Sequence, residues 1–235
     1  MTDAKTIESL KKINNLFQKE EIDTWLDTGT LLGAVRNNGF IPWDTDIDIG
    51  AWHDDVKKIE NIEDEIKKMG FNIAFFDFKD YIKIMNKHCE IDINLYHKKR
   101  NLATRSWYIN KRRTGKIIDY LLWLFSSENP VHKKSKVPRK ITRKILPLIR
   151  KIPDKHRVKI YNVLEKIFLR IGSRQIDLCI PSDFFDELSD VDLYDIKFKA
   201  PSPTKKYLEF RYGSDWMIPN KNYVYYKDDG AIIKK

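Results

Sequence analysis

Residues 29–50 read GTLLGAVRNNGFIPWDTDIDIG, and the fold turns on the run TDIDIGAW that begins near its end. Asp44, Asp46 and Asp48 recur at every second position, with Ile47 and Ile49 between and after the last two. Side chains at i, i+2 and i+4 of a strand share a face. The spacing therefore predicts a strand with carboxylates on one face and buried isoleucines on the other. Carboxylates that share a face repel each other unless a cation sits between them. A hard divalent ion such as Mg²⁺ prefers such all-oxygen surroundings and keeps open positions for phosphate oxygens and water.

The flanking residues suit the same chemistry. Gly29 and Thr30 follow a short strand, DTWLDT (23–28), and open a helix, TLLGAVR. Free backbone N–H groups and a hydroxyl at a helix N-terminus suit phosphate. Arg36, at the far end of that helix, is a candidate clamp for a second phosphate oxygen. Downstream, EIDINLY repeats the acid–apolar alternation with Glu90 and Asp92. A neighbouring strand carrying Asp92 would add a third carboxylate. Phosphate cradle and converging carboxylates together describe metal-assisted phosphoryl or nucleotidyl transfer. Singly, each feature has a plainer reading. A D-x-D pair is commonly a solvated edge, Asp44 a turn residue, Glu90 and Asp92 water-facing, and Arg36 a surface group. Order and context carry the inference.

Around this centre the periodicity predicts helices over 5–20 and 54–69 and strands at FNIAFF, YIKIM and EIDINLY, the first two a hairpin. After Tyr96 the chain turns basic. Residues 97–174 hold 23 Lys/Arg against 4 Asp/Glu, a net of +19, and leave −9 elsewhere. VPRKITRKILPLIRK and HRVKIYNVLEKIFLRI read as basic amphipathic helices, with SSENPVHKKSK (126–136) as an exposed connector. In the C-terminal part, Pro201 and Pro203 exclude a central strand, and TKKYLEFRYG reads as a short helix ending at Gly213. The expected organisation is a catalytic core over 1–96, a basic helical subdomain over 97–174, and a segment over 175–235 that completes the core.

Composition fits a globular chain: 235 residues, 42% hydrophobic and 33% charged. Two cysteines make no disulfide framework and fit a reducing cytosol. The N-terminus lacks a signal-peptide pattern, and the apolar run IIDYLLWLF falls well short of the ~20 residues that span a bilayer. The expected location is cytoplasmic. The five histidines show no metal-ligand spacing.

GTLLGAVRNNGFIPWDTDIDIG resembles the signature of the LicD/fukutin family within the nucleotidyltransferase superfamily. FKAPSPTKKYLEFRYGSDWMIP resembles the family's C-terminal pattern. Members usually read WDDDIDI, and here Thr45 replaces the middle acid while Asp46 and Asp48 are kept. The resemblance implies an α+β fold, a nucleotidyltransferase-like mixed β-sheet core flanked by helices, with the basic segment as an insertion. It implies a Mg²⁺-dependent (or Mn²⁺-dependent) phosphotransferase. Such enzymes move a phosphorylated alcohol, phosphocholine or a polyol phosphate, from a CDP-activated donor to a hydroxyl of a cell-surface glycan or lipid-linked saccharide. Asp46 and Asp48 would be metal ligands and catalytic. Asp92 would be the third carboxylate, as ligand or general base. Gly29, Thr30 and Arg36 would hold donor phosphate, and Asp44, Glu90 and Arg211 are further candidates.

The basic segment has two readings: a helical subdomain with a solvated face, or peripheral docking on an anionic membrane or lipid-linked glycan, with Ile141, Ile145, Leu148 and Ile149 on one side of its first helix. An RNA-binding module, with Trp107, Tyr108 and Trp123 among the cations, ranks lower. It has no nucleic-acid motif and leaves the acidic centre unexplained. Nucleotidyl transfer to a small-molecule acceptor is the rival chemistry.

Overall fold

The computed structural model describes residues 4–76, 80–110, 112–125 and 139–233. The chain divides into two compact units, one of residues 1–107 and 176–235, the other Tyr108–Gln175. Residues 97–107, which charge alone groups with the basic segment, thus belong to the first unit.

The first unit is built on a mixed sheet. Helix α1 (Ala4–Lys19) buries Leu10, Ile13, Leu16 and Phe17. Strand β1 (Thr24–Leu26) pairs antiparallel with β2 (Ile47–Trp52), and helix α2 (Thr28–Asn37) lies between them in sequence. Two short helices, α3 (Val56–Asn61) and α4 (Glu63–Lys68), replace the single helix expected over 54–69. The chain leaves helical geometry at Ile62, yet Ile59, Ile62 and Ile66 all stay buried. β3 (Asn72–Phe76) and β4 (Tyr81–Met85) form the expected hairpin. β5 (Glu90–Lys99) is parallel to β2 on one side and antiparallel to β4 on the other, giving the order β1-β2-β5-β4-β3. Ile47, Ile49, Ile91 and Ile93 are all buried, which fixes which face of the two central strands is core.

The end of β5 continues into a second hairpin. β6 (Leu102–Asn110) pairs with it through His97↔Thr104, Lys98↔Ala103 and Lys99↔Leu102, and also pairs with β7 (Ser173–Pro181). This strand corrects the helical expectation for the start of the basic segment. The buried Ala103 and Trp107 sit at even spacing and so share one strand period. A separate hairpin, β8 (Leu188–Leu193) with β9 (Ile196–Pro201), ends at Pro201, and α8 (Thr204–Tyr212) follows and stops at Gly213. A single turn, α9 (Tyr225–Asp228), lies near the C-terminus.

The second unit holds α5 (Arg112–Phe125), α6 (Arg139–Arg150) and α7 (Asp154–Ile167), the last running on into a wider turn at Phe168–Gly172. Leu122, Leu124, Ile149 and Phe168 are buried there, and the buried Arg157 pairs with Asp154. The connector SSENPVHKKSK and the side chain of Ile141 lie outside the described residues. Among the described residues no helix is long and apolar enough to cross a membrane.

Candidate active site

The parallel pairing of β2 with β5 sets Asp48 opposite Asp92, one register step beyond Ile47↔Ile91. Two isoleucine pairs seeking the core thereby force two carboxylates together on the other face. A third strand is locked alongside by Trp25, which is buried and pairs with Gly50. A Cβ at Gly50 would collide with the Trp25 indole, so the strand needs glycine there. This lock brings Asp27 next to the site, and its N–H donates to the Asp48 carbonyl at 3.1 Å.

The strand is shorter than the alternation predicts. β2 begins at Ile47, so Asp44 and Asp46 lie in the preceding loop and only Asp48 obeys strand geometry. Asp46 nevertheless stays within electrostatic reach of both Asp48 and Asp92. Asp44 folds back over the start of α2, where a Cβ on Gly29 would strike its carboxylate; Gly29 is the residue that admits it. A chain carboxylate thus stands at the helix N-terminus that the sequence reading gives to phosphate. Thr30 is buried, and its hydroxyl accepts the Asp48 N–H at 2.8 Å. It holds the acidic strand in place. Thr28, at φ 39°, sits in the left-handed region that β-branched residues avoid, and its hydroxyl faces Asp48.

The charge balance is unequal. Burial pushes the Asp48 carboxyl well above the usual range. Thr28 opposes this, while the negative charges of Asp92, Asp46 and Asp27 add to it. Asp92 is also pushed up by burial, but Lys83 pulls the other way. Lys83 Nζ stands 2.7 Å from Asp92 Oδ1, without the alignment of a hydrogen bond, and 3.4 Å from Glu90 Oε2. Its side chain is only 12% exposed. Burial disfavours its charge, yet Asp92, Glu90 and Asp46 prevail and raise its pKa, so it stays an ammonium.

Behind the carboxylates lies a buried polar network. Asp27, with no exposed surface, accepts from Tyr96 Oη at 2.7 Å, Asn94 Nδ2 at 2.9 Å, and Tyr207 Oη and Arg211 Nη1 at 3.4 Å each. Asn94 also reaches Asp48 Oδ1 at 3.3 Å. Arg211 is 1% exposed, and its Nε donates to both Asp229 oxygens, at 2.9 and 2.8 Å. It is a positioning residue that ties α8 to β1, and its guanidinium does not open to a ligand. Arg36 stands about seven residues, or roughly 10 Å, along α2 from Gly29. It donates to Asn37 Oδ1 at 2.8 Å and to the Trp216 carbonyl at 3.3 Å.

Structure thus brings together Asp46, Asp48, Asp92 and Glu90, and adds Asp27, Thr28, Lys83 and Asn94, which the sequence reading missed. Asn94 continues the E-I-D-I-N alternation and so was open to detection. Lys83 is the one charged residue within YIKIM. Asp27 gave no periodic signal.

The sequence profile of the LicD/FKTN/FKRP nucleotidyltransferase domain matches residues 21–140, which carry all of these carboxylates. The chain belongs to this family. Among relatives of the LicD-domain chain, an uncharacterized protein of Rickettsia prowazekii, RP689, is 36% identical over 92 residues, 39% of this chain and 33% of that protein. Ribitol 5-phosphate transferase FKRP of Mus musculus is 23% identical over 123 residues, 49% of this chain and 25% of its own length. Lipopolysaccharide cholinephosphotransferase LicD of Haemophilus influenzae is 40% identical over 47 residues, 20% of this chain and 18% of its length. The chain spans a third or less of each of these curated relatives.

The LicD-domain carboxylates suit a divalent cation by their chemistry: they are hard oxygen donors, and burial first, then neighbouring negative charge, pushes Asp48 and Asp92 toward protonation. As placed, no three His, Cys, Asp or Glu side chains among the described residues stand close enough to share an ion.

Proposed function

We propose that this LicD-family chain transfers a phosphorylated alcohol, of the ribitol phosphate or phosphocholine kind, from a CDP-activated donor to a hydroxyl of a glycan or lipid-linked saccharide. The observation that carries the reading is the register pair Asp48↔Asp92 with Asp46 beside it. The relatives named for ribitol 5-phosphate and choline phosphate transfer support the substrate class. Asp46, Asp48 and Asp92 would hold Mg²⁺ or Mn²⁺, which when bound supplies charge neutralisation at phosphate oxygens. The acceptor oxygen forms the new bond to phosphorus, the bond to CMP breaks with its electron pair leaving on CMP, and the acceptor proton passes to a carboxylate; Asp92 is our candidate for that base, or else serves as a metal ligand. Thr30 and Asn94 hold the Asp48 strand and side chain in position for this work.

The deciding experiment incubates the protein with CDP-ribitol or CDP-choline, a divalent cation and candidate glycans, and measures CMP release. Release that depends on acceptor and metal supports the reading. Pyrophosphate release from a nucleoside triphosphate would instead establish nucleotidyl transfer.

The second unit supports a peripheral membrane location for this reaction. On α7, Ile160, Val163 and Ile167 recur at i, i+3 and i+7, and with Ile171 they are exposed. Lys159, Lys166 and Arg170 run beside them, also exposed. Such a stripe suits an anionic bilayer surface, each cation contributing about 1 kcal/mol near the lipid.

A further inference from the structure

Strand alternation carries the functional face of the sheet beyond the carboxylates. Asp92, Asn94 and Tyr96 point to one side of β5. The antiparallel register Lys98↔Ala103 puts Ala103 on the Tyr96 face, and by alternation Arg105 and then Trp107 continue that face on β6. The end of the C-terminal segment meets them there. Tyr225 stacks on Trp107 with ring centroids 5.9 Å apart and planes 28° apart, and the Arg105 guanidinium lies 5.1 Å from the Trp107 ring. Trp107 is 8% exposed and Tyr225 is 54% exposed, with the Tyr226 ring edge-on to it at 5.3 Å, so Tyr225 is the member of the pair that reaches solvent.

Arg105 has no ion pair among the described residues, and its buried Nε makes no hydrogen bond. Three acids on this face already have partners: Asp92 has Lys83, Asp27 has Arg211, and Asp48 has Asn94. A guanidinium that stands on an acidic face without joining its acids is set for an anion that arrives from outside. The Tyr225 hydroxyl is within electrostatic reach of both Arg105 and Asp48, which ties the aromatic pair to the carboxylates.

We propose that Arg105 and the Trp107–Tyr225 pair form the nucleotide subsite of the donor: the guanidinium takes diphosphate oxygens, and the open face of Tyr225 takes the base. Arginine is the cation suited to two phosphate oxygens at once, and an exposed ring backed by a second ring is a stacking platform that accepts any base. The subsite moves donor phosphate recognition away from Arg36, whose side chain is committed to Asn37 and Trp216. It rests on the nucleotide-donor reading above.

The test is direct binding by isothermal titration of CDP and of cytidine in EDTA, without acceptor, to wild type, Arg105→Met, Arg105→Lys, Tyr225→Ala and Tyr225→Phe, each checked by thermal melting. Arg105→Met should lose about tenfold or more of CDP affinity while cytidine binding is unchanged, and Arg105→Lys should recover part of the loss. Tyr225→Ala should weaken CDP and cytidine alike, about tenfold, and Tyr225→Phe should bind as wild type. Wild-type CDP affinity in Arg105→Met, or a loss in Tyr225→Phe equal to that in Tyr225→Ala, overturns the subsite and leaves the transfer reading standing. CDP binding that follows the predicted pattern, with no CMP release from any CDP-alcohol and glycan, keeps the subsite and removes the transfer reading. Failure of wild type to bind CDP, UDP or ADP removes the subsite, and CMP release in the presence of a divalent cation decides the transfer reading by itself.

Discussion

Lys83 Nζ stands 2.7 Å from Asp92 Oδ1, on antiparallel strands that place the two residues in register. The chain therefore supplies a cation of its own to the Asp92 and Glu90 side of the acidic cluster. Lys83→Met should leave Asp92 and Glu90 without that counter-charge in a poorly solvated place, at a cost of about 1–3 kcal/mol. Thermal melting should show the loss, and Mg²⁺ should raise the melting temperature of the variant more than that of wild type. Equal stability of the two proteins in EDTA would show that Lys83 is not needed as a counter-ion.

Asp46→Asn and Asp48→Asn should each lower CMP release at least about a hundredfold, because several kcal/mol of charge stabilisation is at stake. Both variants should fold, since each removes a like charge from a crowded group. Asp92→Asn should lose activity and Glu90→Gln little. The reverse order for the last two would transfer the role to Glu90.

Arg211→Met should destabilise the protein by about 3–5 kcal/mol, because it strands the buried Asp229 and removes one donor from Asp27. Urea denaturation measures this. Arg211→Lys should not restore stability, since an ammonium cannot serve Asp229 through two nitrogens and Asp27 at the same time. A loss under 1 kcal/mol would mean that the network is not structural.

Gly50→Ala tests the lock between β1 and β2. Its methyl group would overlap the Trp25 indole, and overpacking of this kind costs about 1–3 kcal/mol. Pairing it with Trp25→Leu should give less than the sum of the two losses, because the smaller side chain clears the space. Simple additivity would show that the two residues do not press on each other.

Vesicle sedimentation tests the second unit. Wild type should pellet with anionic vesicles at low salt and be released as ionic strength rises. Changing Ile160, Val163, Ile167 and Ile171 to serine, or Lys159, Lys166 and Arg170 to glutamine, should each reduce pelleting. Wild type that stays in the supernatant at low salt removes the membrane reading, and tight RNA binding in its place would favour the nucleic-acid alternative.

What the sequence by itself determined was the set of local patterns. Alternating isoleucines mark which faces of β2 and β5 go inward, and glycine and proline mark where helices and strands stop. The family signature, long and contiguous, was legible for the same reason: its residues are neighbours in the chain. Tertiary structure alone decided which acids meet and what balances them. Asp27, Lys83 and Arg211 lie far apart in sequence, and none shows a period that announces its partner. Lys83 faces Asp92 only because β4 pairs with β5, and Arg211 reaches Asp27 only because α8 returns to β1. Asp44 reads as a member of an acidic strand, yet its carboxylate covers the start of α2, because the strand begins three residues later than the alternation suggests. A buried charge is stable only beside its counter-charge. The identity of that partner is a property of strand order and register, which local pattern does not encode.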